Sequence, residues 1–317
     1  TQMQLIHNFQ GLSDHLKDAR QSSVTIGNFD GFHRGHQALW QHVLRGQKKL
    51  QGCRIGITFD PHPRQFFEKE DQGPSLFTTD QKARAFAEAN CDLMIVQDFN
   101  EEFAAVDSKT FLEHYLLELC QAGFIVVGRD FRFGSDRSGD CHYLKQRCEQ
   151  LGVMAATPED VDFDNTRISS SRIRALLTDS GDMTAVNAML GHPFLLEGTI
   201  VKGDQLGRKL GFPTANLATL PQQLLPAFGV YAGQVWVGES PAKPSILSLP
   251  KDCLPAVFNI GQRPTIATGE MQLRVEAHIL HKNISEPLYG RSAGFYLQQR
   301  LRPEIKFADT DALRHQI

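Results

Sequence analysis

Short runs of β-branched and aliphatic residues recur at 23–29 (SVTIGNF), 54–59 (RIGITF), 92–97 (DLMIVQ), 124–128 (FIVVG) and 153–157 (VMAAT), and the stretches between them carry helical spacing. No other feature restricts the fold as much. Residues 37–50 place Leu39, Trp40, Val43 and Leu44 on one helical face. Residues 108–121 do the same with Phe111, Leu112, Tyr115 and Leu119, and Asp107 is placed to cap that helix. Apolar strands separated by amphipathic helices imply a parallel sheet covered on both faces. In such a sheet ligands gather in the loops beyond the carboxyl ends of the strands.

The pattern changes near residue 190. Residues 171–177 and 183–190 read as two helices; after them come runs at 198–201, 229–237, 256–260 and 274–280, separated by Gly, Pro, Ser and Asn clusters. This is an all-β pattern, best satisfied by a sheet that closes on itself. With 317 residues, two domains are expected. The fold class is therefore α/β: an N-terminal Rossmann-like parallel-sheet domain over residues 1–187 and a small antiparallel β-barrel over 188–317, joined near residues 191–196 (GHPFLL). Residues 240–255, rich in Pro and Ser, read as a long hairpin loop, and a last helix is expected from near Asp309.

Composition narrows the partners. Residues 1–187 hold 20 basic and 26 acidic side chains and residues 188–317 hold 13 and 10, for a formal charge of −3. Nothing in that balance draws the chain to nucleic acid or an anionic membrane. There is no long apolar run and no signal-like segment in residues 1–10, so a soluble, cytoplasmic protein is expected. Cys53, Cys91, Cys120, Cys141, Cys148 and Cys253 include no C-x-x-C pair and no His at finger spacing, which favours free thiols in a reducing compartment. Oligomeric state is not legible.

The strongest local signal is GNFDGFHRGH at residues 27–36. A strand ends in a turn punctuated by Gly27, Gly31 and Gly35, and His33 and His36 stand at the mouth of the next helix. Residues three apart share a helical face, and the free N–H groups and dipole there attract anions. Two imidazoles at that spot suit phosphate binding and stabilisation of charge on a phosphoryl group. An isolated H-x-x-H would instead be two surface histidines, or half a metal site without an evident third ligand. A second element, ISSSRIR at 168–174, puts Ser169, Ser170, Ser171 and Arg174 where a loop enters a helix. Hydroxyls cap and bind phosphate oxygens, and arginine forks onto phosphate; alone, the string is also an ordinary N-cap followed by a basic turn.

Together these strings resemble the HxGH nucleotidyltransferases. TFDPHP (58–63) and GRDFRFGSDRSGD (128–140) narrow the likeness to the adenylyltransferase module of prokaryotic FAD synthetases. The resemblance implies catalytic roles for His33, His36 and Arg174, ATP contacts from Gly27, Asn28, Phe29, Asp30, Gly35 and Ser169 to Ser171, and flavin contacts from Phe59, Pro61, His62 and Asp130. Ser171 stands where a Thr is common.

A second glycine-punctuated stretch reads GTIVKGDQLGRKLGFPTANL at 198–217. It is neither a Walker loop nor a dinucleotide fingerprint. Gly203, Gly207 and Gly211 around Arg208 and Lys209 suit a loop that wraps a triphosphate. Thr214 and Asn216, two apart, present neutral oxygens on one face of an extended segment, suitable for hydrated Mg²⁺; a plain β-hairpin is the alternative. With GVYAG (229–233), FNIGQRPT (258–265), VEAHIL (275–280), LYG and LRPEIKF, the stretch resembles the riboflavin kinase module, a six-stranded barrel. That likeness implies that Thr214 and Asn216 hold Mg²⁺-ATP and that Gly203, Asp204, Gly207, Arg208, Lys209, Gly211 and Pro213 line the ATP. It also implies that Asn259, Arg263 and Arg302 meet the flavin and that Glu276 is the base. Departures from the family pattern are Phe258, where a small residue is usual, His281-Lys282 after VEAHIL, and the length of 240–255.

The expected activity is bifunctional: ATP and riboflavin to FMN in the barrel, then ATP and FMN to FAD and pyrophosphate in the first domain. Small molecules (ATP, riboflavin, FMN) are the expected partners, with Mg²⁺ as cofactor. A single-activity adenylyltransferase with a flavin-binding barrel, and a non-enzymatic flavin-binding regulator, are the other readings.

Overall fold

The computed structural model describes residues 2–12, 15–16, 21–68, 73–202, 214–264, 271–280 and 288–305, the side chains of 68, 263, 264 and 271 excepted. The chain forms two compact units, Thr1–Gly73 with Phe77–Ser169, and Pro74–Leu76 with Ser170–Ile317. No helix among the described residues is long and apolar enough to cross a membrane.

In the first unit six strands, β1 (Gln4–His7), β2 (Ser22–Ile26), β3 (Arg54–Asp60), β4 (Leu93–Asp98), β5 (Ala122–Val126) and β6 (Met154–Ala156), form a parallel sheet in the order β1-β4-β3-β2-β5-β6. Every residue of β2 is buried. Val24 and Ile26 enter a core with Ile55, Ile57, Ile95 and Leu112, and alternation turns Ser23 and Thr25 to the other face. Helix α1 (Arg34–Leu50) follows β2 and buries Trp40 and Val43, with the Trp40 indole N–H donating to Ala89 O at 2.8 Å. The helix expected over 108–121 runs from Ser108 to Leu119, its Phe111–Leu119 portion in wider π-type turns. Asp107 caps it, accepting the Thr110 N–H at 2.9 Å. After β6 a ribbon of β7 (Asp162–Phe163) and β8 (Thr166–Arg167) turns at Asp164 and Asn165, both at positive φ (52° and 55°). That pair is the signature of a two-residue hairpin turn.

In the second unit helices lie over Ser170–Ala175, continuing in π-type turns to Ser180, and over Met183–Leu190. Then β9 (Phe194–Val201), β10 (Thr214–Thr219), β11 (Gly229–Gly238), β12 (Leu254–Pro264), β13 (Met271–Ile279) and β14 (Ser292–Arg302) close an antiparallel barrel, order β10-β13-β12-β11-β14-β9. Closure leaves no open sheet edge. Leu217, Tyr231, Val235, Phe258, Ile260 and Phe295 are among the buried side chains. Asn187 ties the helix Met183–Leu190 to this wall: its Nδ2 donates to Leu297 O at 2.9 Å and its Oδ1 accepts the Phe194 N–H at 2.8 Å. Pro74–Leu76 belongs to the same unit: the Ser75 N–H donates to Gln222 O at 2.9 Å and the Leu224 N–H to Ser75 O at 2.8 Å. The connection between β11 and β12 is long, as expected, and is pinned by buried Ile246 and by the Tyr296 hydroxyl, which donates to Ser245 O at 2.6 Å. The helix expected near Asp309 lies outside the described residues.

Candidate active sites

β2 ends at Ile26 and the chain turns at once, so residues 27–29, expected as strand, are turn. Phe29, Gly31 and Phe32 all sit at positive φ (50°, 78° and 37°). Glycine adopts that region freely, whereas each phenylalanine is strained by roughly 1–3 kcal/mol. Burial holds them there. Phe29 and Phe32 meet the Phe86 ring edge-on at 4.9 and 5.0 Å, and the buried carboxylate of Asp30 accepts the Phe77 N–H at 2.9 Å.

This turn sets the start of α1, which opens at Arg34 because His33 is its N-cap: the His36 N–H donates to His33 Nδ1 at 3.4 Å. His33 Nδ1 is thus the acceptor of the cap. The two imidazoles stack, centroids 3.6 Å apart and planes 16° off parallel. A Cβ on Gly35 would lie 3.0 Å from His33 Cε1 and 3.1 Å from Nδ1, so any side chain between the stacked rings would press the His33 ring out of place. Burial pushes the His36 pKa well below its ordinary value, and the charges of His33, Lys82 and Arg167 depress it further. His36 is thus a neutral imidazole. Its Nδ1 is buried and, among the described residues, has no hydrogen-bond partner. Such an atom costs about 1–3 kcal/mol, and a bound ligand is one way to satisfy it.

Arg167, which the sequence reading passed over, also belongs here. β2, β5 and β6 are neighbours in the sheet, and their carboxyl ends deliver the histidine turn, the loop with Asp130, and the ribbon that ends at Arg167. Arg167 Nη2 lies 3.0 Å from Asp130 Oδ1 and its Nε 3.2 Å from Asp160 Oδ1. Its one sequence signal is its position directly ahead of ISSSRIR.

In the barrel the site is a matter of register. Asn216 stands opposite Glu276, Glu276 opposite Asn259, Asn259 opposite Val230 and Val230 opposite Arg302. Directly opposed residues share a face. Their strand neighbours Ala215, Leu217, Val275, Ala277, Phe258 and Ile260 are buried in the interior, so the row runs along the outer wall. Thr214, opposite His278, extends it. The Glu276 side chain is 15% exposed and its Oε1 lies 3.5 Å from Arg274 Nη1. A hydroxyl, an amide carbonyl and a carboxylate, all oxygen donors, fit a hydrated Mg²⁺.

Comparisons with known proteins follow the same division. The family model described as FAD synthetase matches residues 15–172, and that described as riboflavin kinase matches residues 190–317. The bifunctional riboflavin kinase/FMN adenylyltransferase of Escherichia coli (strain K12) is 36% identical over 316 residues, 99% of this chain and 95% of that protein. Its counterpart in Pseudomonas fluorescens is 32% identical over 318 residues, 98% of this chain and 94% of that protein. The chain belongs to the bifunctional riboflavin kinase/FMN adenylyltransferase family. A crystal structure described as a macrolide-efflux protein from Streptococcus pneumoniae superposes with a TM-score of 0.83 at 25% identity, covering 100% of this chain and 96% of that one.

Against the family pattern, the remaining positions fall as follows. Gly27 and Asn28 line the histidine turn, half-buried, and the Thr58 hydroxyl donates to Asn28 O at 3.3 Å. Phe59 packs against Phe99 and Phe103, Pro61 is exposed, and His62 Nδ1 accepts the Arg64 N–H at 3.0 Å. Ser169 closes the first unit, whereas Ser170, Ser171 and Arg174 lie on the helix Ser170–Ala175 of the second. The backbone of Arg263 pairs with Gln272. Gly203, Asp204, Gly207, Arg208, Lys209, Gly211 and Pro213 lie outside the described residues, as do His281 and Lys282. The Phe258 departure has a plain cause: its ring is core, 4.9 Å from Phe295, on the side of β12 away from Asn259.

Proposed function

We propose that the chain makes FAD in two steps, each with its own site: ATP phosphorylates riboflavin in the C-terminal barrel, and a second ATP adenylylates the resulting FMN in the N-terminal domain. The functional division follows residues 1–187 and 188–317. The observation that carries the first step is the outer-wall row of Asn216, Glu276 and Asn259, one opposite the next. Glu276 takes the proton of the attacking ribityl hydroxyl, and Asn259, Arg263 and Arg302 hold the flavin. Thr214 and Asn216 hold Mg²⁺, which when bound neutralises charge on the transferring phosphoryl group. Gly203, Asp204, Gly207, Arg208, Lys209, Gly211 and Pro213 are assigned to contact the ATP.

In the second step the FMN phosphate attacks the α-phosphorus of ATP. A phosphate is already an anion, so no base is needed, and positioning with charge stabilisation suffices. His33, His36, Arg167 and Arg174 supply that stabilisation. Gly27, Asn28, Phe29, Asp30, Gly35 and Ser169 to Ser171 form the ATP cradle, and Phe59, Pro61, His62 and Asp130 stand on the flavin side. The stacked histidine pair at the start of α1, with the His36 pKa held well below its ordinary value, supports this assignment. The free thiols fit a reducing cytoplasm. Chromatography of riboflavin with Mg-ATP over time tests the whole reading: FMN rises first and FAD follows. FAD from supplied FMN without any riboflavin turnover would leave the barrel as a flavin-binding module only.

A further inference from the structure

We propose that Asp160 is a positioning residue for adenylyl transfer, acting through Arg167. The inference rests on the reading that the histidine turn transfers the adenylyl group.

The backbone of Arg167 is fixed first. The two-residue turn at Asp164 and Asn165 folds β8 back on β7, pairing Asp162 with Arg167 and Phe163 with Thr166. The Ile168 N–H then donates to Val161 O at 2.9 Å, and the buried Ile168 side chain anchors the far end. What the backbone pairing does not place is the long side chain, which is 43% exposed. A guanidinium on a flexible stem finds a phosphate slowly unless its plane is already set, because its planar fork is what matches phosphate oxygens.

Two carboxylates set that plane, from different edges. Asp130 Oδ1 takes Nη2 at 3.0 Å and Asp160 Oδ1 takes Nε at 3.2 Å. They are not equivalent. Both residues are exposed, but the Asp130 side chain is 69% accessible and the Asp160 side chain 35%, so the Asp160 contact is the less screened of the two. The Asp130 contact also involves a terminal nitrogen, the group an incoming phosphate uses. A polyphosphate makes stronger charge-assisted bonds than one exposed carboxylate and displaces it. Asp160 holds the inner nitrogen, so that the outer fork can turn toward phosphate while the guanidinium charge still acts on His36.

The test is FAD formation from supplied FMN and Mg-ATP by the full chain in five forms: wild type, Asp160→Asn, Asp160→Glu, Arg167→Lys, and the Asp160→Asn/Arg167→Lys double variant. Riboflavin phosphorylation by each is the internal control. Arg167→Lys keeps the charge and loses the fork. Asp160→Asn is expected to lower kcat for FAD formation about 10-fold, with the KM for FMN and the kinase rate unchanged. In the Arg167→Lys background the same change is expected to cost less than about 2-fold. Asp160→Glu restores most of the rate. An unchanged kcat in Asp160→Asn overturns the proposal, and so does a loss of the same size in both backgrounds, which would mean that Asp160 supports the loop rather than Arg167. Failure of the wild type to form FAD refutes the underlying assignment, and the first assay shows it before any variant is compared.

Discussion

The parallel-sheet unit and the barrel unit build the phosphate sites proposed for them from opposite materials. In the sheet unit the site is an irregular turn: Phe29, Gly31 and Phe32 at positive φ, locked by buried rings and by the Asp30 carboxylate, with one histidine capping the helix that carries the other. In the barrel it is regular ladder, with Thr214, Asn216, Glu276 and Asn259 placed by alternation and by which residue stands opposite which. A turn site is therefore vulnerable to added atoms at close quarters. A ladder site is vulnerable to register, since a slip of one residue would send the whole row into the core.

The sharpest way to break this comparison is Glu276→Ala. It is expected to lower FMN formation about 1,000-fold while leaving FAD formation from supplied FMN intact, as read by product chromatography. Loss of both activities in the folded variant would end the two-site picture. His36→Ala should do the converse, cutting FAD formation about 100-fold with riboflavin phosphorylation untouched; an unchanged FAD rate would remove the stacked pair from the mechanism. Gly35→Ala sharpens the contrast further, because a Cβ there falls 3.0 Å from the His33 ring. A loss of about 10-fold in FAD formation alone is expected, whereas equal losses in both reactions would point to general destabilisation. The smallest effect is on pH dependence. Because the folded chain holds the His36 pKa down, the unfolded chain takes up that proton near the usual imidazole value of about 6.5 while the folded chain resists it. The stability linked to His36 is complete above that value and is lost as pH falls through the lowered folded value. Denaturant midpoints of wild type and His36→Asn should thus shift in favour of the variant on acidification from about pH 7. A constant difference down to pH 5 would contradict the burial of the ring.

Much of this was legible in the sequence because it is local. The apolar run that opens at Ser23, the H-R-G-H spacing and the Asp107 cap all act within a few residues and are found in place, although the strand stops at Ile26 rather than at Phe29. The barrel also announced itself, although β14 did not: five successive residues of it are buried, so it shows no alternation. β1 was missed for the opposite reason, having one buried residue in four at the sheet edge. What stayed hidden acts through space. Nothing near Arg167 in the chain reveals that Asp130 holds it, and nothing near Asp30 reveals that Phe77 donates to it. The inward turn of Phe258 likewise depends on Phe295, a residue on another strand.

The short piece Pro74–Leu76 has a consequence for how such a protein is inherited. It bonds within the barrel unit, while Gly73 and Phe77 on either side of it belong to the sheet unit. The polypeptide therefore passes from one unit to the other three times, not once. A gene severed after Ser169 would deliver a barrel whose Gln222 carbonyl and Leu224 amide have lost their Ser75 partners. Fission of this gene into two independent enzymes requires those groups to be satisfied anew, which favours keeping both activities on one polypeptide.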